Sequence, residues 1–92
     1  MHRHKVKNNG ILEKLVLAVA IIEPLSTIPQ IIDIFTTKDT TAISLVTWIL
    51  FAIAAVIWLA YGIKIKNTPL IVSSALWVLT ESIIVIGILL YS

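Results

Sequence analysis

The sequence predicts an all-α membrane protein whose three transmembrane helices form one triple-helix bundle. Of its 92 residues, 59% are hydrophobic and only 13% are charged, whereas a soluble domain of this size must expose more polar surface to water. Three apolar segments, near residues 12–35, 43–63 and 69–91, are each long enough to cross a bilayer, which takes about 20 residues. Because the linkers between them are short, neighbouring helices should run antiparallel within a single domain.

A polar, basic tail, residues 1–11, precedes the first span. Six of the seven basic residues lie in or near this tail or in the second linker: Arg3, Lys5, Lys7, Lys14, Lys64 and Lys66. Lysines and arginines beside a span are typical of a solvated flanking segment, so no nucleic-acid partner is expected. Only Lys38 lies on the other membrane face, and the positive-inside rule therefore predicts a cytoplasmic N-terminus.

Prolines interrupt the first span at Pro24 and Pro29. Proline removes a backbone donor and clashes with the preceding turn, and in lipid the freed carbonyls find no water. Such a break survives at membrane depth only where protein or a cavity covers it. With the polar Gln30 beside it, the break predicts a hinge next to a solute path.

The other two helices carry start signals. Ser44 or Thr41 is placed to cap the second helix, and Thr68 is placed to cap the third with Pro69 at its first position.

Polar side chains lie at membrane depth in two helical stripes. The first span carries Glu23, Ser26 or Thr27, Gln30 and Asp33, and the third carries Ser74, Trp77 and Glu81. Intramembrane carboxyls usually face a bundle interior or a watery cavity, so Glu23 and Glu81 are candidate proton or cation sites. For the serines and threonines, including Ser73, two interpretations stay open: a solute-lined passage, or hydrogen bonds between helices.

Four motifs occur in a specific order: Pro29-Gln30, then residues 37–44 (TKDTTAIS), then residues 58–62 (WLAYG), then residues 69–71 (PLI). Their order and spacing, over most of a chain of three-span length, resemble the SemiSWEET branch of the PQ-loop transporters. The resemblance implies a half-transporter that pairs as a parallel homodimer in a prokaryotic inner or plasma membrane, with its N-terminus outside. It also implies alternating access, with mono- or disaccharides passing down their gradients.

The same resemblance implies roles for individual residues. Pro29 corresponds to the hinge of the first helix, Trp58 to the residue that stacks on the sugar, and Tyr61 to a gate residue. Ser74 stands where the family usually places an asparagine that binds the sugar. The usual basic and acidic gate pair is replaced here by Ile65 and Asn67, so Asn67 is the expected partner of Tyr61 in the gate.

Together these observations predict facilitative, uniport-type sugar transport in a homodimer. The expected binding residues are Trp58, Ser74, Ser73 and Ser26; the hinge is Pro29, Gln30 and Pro24. Two alternatives stay open: proton-coupled transport of an amine or amino acid through Glu23 and Glu81, or a membrane subunit that transports nothing. No nucleophile and base pair, metal-ligand set or cofactor motif indicates an enzyme.

Overall fold

The computed structural model describes residues 10–92 and contains four helices. They are α1 (Gly10–Leu25), α2 (Ile28–Thr37), α3 (Leu45–Ile65) and α4 (Thr68–Tyr91). Three helical stretches are long and apolar enough to cross a membrane: Gly10–Thr37, which joins α1 and α2, then α3, then α4. The predicted all-α fold with three long apolar helices is confirmed. The basic residues Arg3, Lys5 and Lys7 lie outside the described residues.

The first span is broken between its two prolines. Ser26 and Thr27 form a turn: the Thr27 N–H donates to the Pro24 carbonyl at 3.1 Å, a tighter pairing than that of an α-helix. The Thr27 hydroxyl donates to the same carbonyl at 2.7 Å. Pro29 then lies in the first turn of α2, where its missing N–H costs least. The break thus lies just before Pro29, and the Ser26 and Thr27 hydroxyls supply additional donors to the Glu23 and Pro24 carbonyls.

Both later helices begin at a side-chain cap. The Ser44 hydroxyl accepts from the Thr47 N–H at 3.1 Å, as predicted for α3. At α4 the cap is Asn67, whose side-chain oxygen accepts from the Leu70 N–H at 3.1 Å. The prediction of Thr68 as the cap is therefore wrong by one residue: Asn67 is extended with φ −98° and ψ 103°, and Thr68 is already helical.

The bundle is organised around α4, which packs against α3 on one side and against α1 and α2 on the other. Ile34 of α2 forms the fully buried core with Ile84 and Ile88 of α4. Gly87 lets these two helices meet, because a Cβ there would lie 2.7 Å from Ile34 Cγ2. On α1, the buried residues are Ala20 and Pro24, one turn apart.

Candidate functional site

A pocket of about 360 Å³ lies between α3 and α4. Its volume falls near the lower end of the range for small-molecule sites. Four lining residues come from α3 and five from α4: Phe51, Ala54, Ala55, Trp58, Leu70, Ser73, Ser74, Trp77 and Glu81. Two indoles, two hydroxyls and one carboxyl therefore share an otherwise apolar cavity, which is the composition expected of a site for a small polar solute.

The α4 wall of the pocket follows from helical periodicity. Ser74, Trp77 and Glu81 are spaced i, i+3 and i+7, so their side chains project from one face of α4. The predicted stripe of the third span is thus the wall of the cavity. Ser74 is only 3% exposed, which places its hydroxyl deep in the wall.

The α3 wall is held close by small residues. A Cβ added to Gly62 would lie 3.1 Å from Leu70 Cγ and 3.3 Å from the Ile71 backbone nitrogen, so α3 and α4 nearly touch there. Because the two helices run antiparallel from this contact, Trp58 lies at the level of Ser74 and Phe51 at the level of Glu81. The buried Ala55 lies between them.

The aromatic side chains at the pocket mouth are open rather than packed. Trp58 is 55% exposed, and its ring stands edge-on to Tyr61, with centroids 6.2 Å apart and planes at 75°. An indole that is already supported on one edge offers its flat face to a solute at little ordering cost. Tyr61 is next to the cavity without being one of its lining residues.

Glu81 is the acidic residue among those that line the pocket. It is 7% exposed, and its Oε1 has no hydrogen-bond partner among the described residues. None of the other lining residues is a lysine, arginine or histidine. Within residues 10–92 no group of three or more His, Cys, Asp or Glu side chains could hold a metal ion.

The structure separates several predicted site residues from this pocket. Ser26 lies in the turn of the first span, where its hydroxyl donates to the Glu23 carbonyl, and Glu23 itself is exposed on α1. Neither residue lines the cavity that contains Glu81. Pro24 is buried, Gln30 is half-buried and Pro29 is exposed, and these predicted hinge residues flank the turn of the first span.

Asn67, predicted as a gate residue, serves in this structure as the cap of α4. It lines a second depression with Leu12 of α1 and Lys66. This depression lies at the end of the bundle where α4 begins, which is also the end nearer to Tyr61.

Sequence reasoning identified Trp58 through the family resemblance but missed the other apolar residues of the α3 wall. Phe51, Ala55 and Trp58 recur at i, i+4 and i+7 on α3, and this period marks one helix face. The signal was hidden because every neighbouring position of α3 is also apolar. Only the helix that packs against α3 distinguishes the pocket face from the others.

The chain is similar to a known protein family, to a named transporter and to a solved structure. A family model described as sugar efflux transporter for intercellular exchange matches residues 11–92. A Vibrio sp. (strain N418) protein named sugar transporter SemiSWEET is 35% identical over 83 residues, which cover 88% of this chain and 86% of that protein. The crystal structure of a bacterial homologue of SWEET transporters superposes with a TM-score of 0.83 at 26% identity, over 89% of this chain and 99% of that one.

Proposed function

Because the chain belongs to the family of SWEET-type sugar efflux transporters, in its SemiSWEET branch, we propose that it carries a small sugar across the membrane. The resemblance drawn from the motifs is confirmed by these matches, and the chain is an integral membrane protein with three membrane-spanning helices. In the proposed function the solute moves down its gradient, as in a uniporter, and alternating access exposes the site to each side in turn.

One observation carries this proposal: the open indole of Trp58 lies at the level of the Ser73 and Ser74 hydroxyls in one cavity. A sugar ring has an apolar face of C–H groups and an edge of hydroxyls. The indole suits the first, and serines, which both donate and accept hydrogen bonds, suit the second. Trp77 supplies a second aromatic surface from α4.

A parallel homodimer accounts for the exposed polar and aromatic surface. Glu23, Ser26 and Asp33 are exposed on the first span, and Trp58 and Tyr61 are exposed on α3. Lipid solvates polar side chains poorly. A two-fold axis between two copies would give each exposed stripe its own counterpart and would close the cavity on its open side.

The hinge belongs to the same proposal. The turn at Ser26 and Thr27 separates two helices that each contact α4, with Ile34 of α2 buried in the core. Rotation at this turn would move one half of the first span while the other half stays docked. Tyr61 and Asn67 lie near the end of the bundle where such a movement would open or close the path.

The test of the proposed function is sugar flux into liposomes that contain the purified full chain. Trp58→Ala should lower sugar flux about tenfold, which corresponds to about 1.4 kcal/mol of lost binding. Ile57→Ala is the matched control: Ile57 is the preceding residue, is 64% exposed and does not line the pocket. Equal flux in the Trp58→Ala protein and the wild type would overturn the assignment of the site.

Two further functions are separated by the same assay. The buried carboxyl of Glu81 favours proton-coupled transport of an amine or amino acid as the second candidate. In that case collapse of the pH gradient should abolish accumulation, whereas uniport of a sugar should proceed unchanged. A non-transporting subunit would show no flux of any solute in the panel.

A further inference from the structure

The pocket contains an acid, Glu81, whose Oε1 receives no hydrogen bond from the described part of the chain. Glu81 is nine-tenths buried, lines the cavity and has an Oε1 without a hydrogen-bond partner among the described residues. A buried carboxylate is costly unless an opposite charge or hydrogen-bond donors compensate it. A solute that supplies such a donor therefore gains free energy that a solute without one does not.

Among residues 10–92, charged groups elsewhere in the bundle do not provide the missing partner. From Leu45 to Ile63, α3 contains no charged residue, and the charges at membrane depth on α1 and α2, Glu23 and Asp33, are acidic. The lysines within residues 10–92 lie towards the two ends of the bundle. Lys38 stands over the Tyr91 ring at 5.9 Å, and Lys14 follows Leu12 and Glu13, which lie beside the start of α4.

The rest of the lining indicates what kind of cation fits. A single carboxyl with two serines is too small a ligand set for a metal ion, in agreement with the absence of a metal cluster in residues 10–92. Trp58 and Trp77 contribute indoles, the side chains that best attract an organic ammonium group. An ammonium group also donates hydrogen bonds to a carboxylate, and charge-assisted bonds of this type are the strong ones.

The spacing of the pocket residues along α4 indicates where an ammonium group would lie relative to a bound sugar ring. Ser74 and Glu81 are seven residues apart, which is about 10.5 Å along the helix axis at 1.5 Å per residue. Trp58 lies at the Ser74 level and Phe51 at the Glu81 level. A sugar ring at the serine end would thus direct a substituent towards the carboxylate.

We propose that Glu81 makes this pocket selective for a small sugar that bears a protonated amine, with the ring against Trp58, Ser73 and Ser74 and the ammonium group on the Glu81 carboxylate. This proposal rests on the proposed function, since it names the substrate class of the same site. Glu81 is thus a specificity-determining residue. Glu23, exposed on α1 and outside the cavity, has no part in it.

The experiment compares glucosamine, glucose and N-acetylglucosamine as solutes for the full chain in liposomes, at a pH where the amine is protonated. Glucose has a hydroxyl of nearly the same size at the varied position, so size does not explain a preference for glucosamine over glucose. N-acetylglucosamine keeps the nitrogen but not its positive charge, so it separates the effect of the charge from that of the nitrogen. The wild type should carry glucosamine faster than both neutral sugars. Glu81→Gln should lower the ratio of glucosamine flux to glucose flux about tenfold or more, which corresponds to about 1.4 kcal/mol.

Glu13→Gln is the matched control, because it removes an exposed glutamate of α1 that does not line this cavity, and it should leave the flux ratio unchanged. If Glu81→Gln fails to fold, the wild type still decides the matter. Quenching of tryptophan fluorescence in detergent should require less glucosamine than N-acetylglucosamine, since Trp58 and Trp77 line the site.

Three results would overturn the proposal: an unchanged flux ratio in Glu81→Gln, equal wild-type flux of all three sugars, or equal fluorescence titrations. These results are distinct from the results expected if the proposed function itself were wrong. In that event Trp58→Ala would have no effect on the flux of any sugar, or the wild type would carry none. A preference for glucosamine in the fluorescence titration would still support the role of Glu81 in a chain that does not transport.

Discussion

The two sides of α4 differ in how they are built. On one side lies α3, an unbroken helix of 21 residues whose contact with α4 encloses the pocket. On the other side lies the first span, which is divided by the turn at Ser26 and Thr27 into two pieces of 16 and 10 residues. The central helix thus lies between a continuous helix, which lines the pocket, and a divided span, which we propose to be the hinge.

This difference indicates a division of labour within the chain. The pocket residues of α3 and α4 are held by two continuous helices, so their mutual geometry is fixed by the bundle. Near the turn, by contrast, two prolines leave carbonyls without their usual amide donors. We therefore expect substitutions on the divided side to change the rate of conformational exchange, and those on the pocket side to change affinity.

The largest effect is expected where α2 docks on α4. In Gly87→Ala the new Cβ would lie 2.7 Å from Ile34 Cγ2 and 3.0 Å from the Phe35 ring. Ile34 is fully buried and β-branched, so it cannot turn aside. Overpacking of this kind costs about 1–3 kcal/mol, and the thermal unfolding midpoint of the protein in detergent should fall.

Gly62→Ala is the counterpart on the pocket side. There the new Cβ would meet Leu70 Cγ at 3.1 Å and the Ile71 nitrogen at 3.3 Å, so a displacement of a few tenths of an ångström suffices. The gain in helix propensity from glycine to alanine, about 1 kcal/mol, is common to both helical positions, so the longer Cβ distances at Gly62 are what make its variant the milder one. A larger loss of stability in Gly62→Ala than in Gly87→Ala would reverse the comparison.

The next effect concerns rate rather than stability. Pro29→Ala restores an N–H that can donate to the Leu25 carbonyl and extend the helix through the turn. Because Pro29 is exposed, little packing is lost, and the variant should fold normally while its sugar flux falls severalfold. Unfolding midpoints and liposome flux, measured on the same preparation, separate the two properties.

Pro69→Ala is the control for this experiment. Pro69 lies in the first turn of α4, where a backbone N–H would have no carbonyl partner within the helix. Its replacement should leave flux unchanged. Wild-type flux in the Pro29→Ala protein, or an equal loss in both variants, would count against a hinge at the first span.

The two sides of α4 also differ in how well the sequence alone predicts them. The third-span stripe of Ser74, Trp77 and Glu81 was predictable, because three polar or aromatic positions stand out against an apolar helix. The pocket face of α3 was not predictable, because a helix that is apolar at every position has no periodic pattern to mark one face. In the first span, proline predicted a break, but its location at Ser26 and Thr27 depends on hydroxyls that compete for the Glu23 and Pro24 carbonyls.

The distribution of site residues shows the same limit. The sequence predicts that Ser26 and Glu23 lie near the polar residues of the third span, because both stripes are at membrane depth. The fold places α4 between the first span and α3, so only one stripe faces the cavity. This spatial order of the helices cannot be read from short loops, which predict antiparallel neighbours but not which pairs touch.

The smallest expected effect lies in the loop that joins the two sides. Asp39 Oδ1 accepts from the Thr41 N–H at 3.1 Å and from the Thr41 hydroxyl at 2.8 Å. These two bonds, the backbone one first, lower the pKa of Asp39 below its usual value. Since the folded-state pKa is the lower one, the stabilisation is present above the unfolded pKa and is lost as the pH falls through the folded value.

Thr41→Ala should therefore raise the pKa of Asp39 only part of the way, because the backbone donor remains after the hydroxyl is removed. An NMR titration of the Asp39 carboxyl in detergent micelles measures the change, and Thr41→Ser, which keeps a hydroxyl, should restore the low pKa. Asp39 is exposed, so water screens the interaction and flux near neutral pH should be unaffected. A clear loss of flux in Thr41→Ala would mean that this loop takes part in the movement of the divided side.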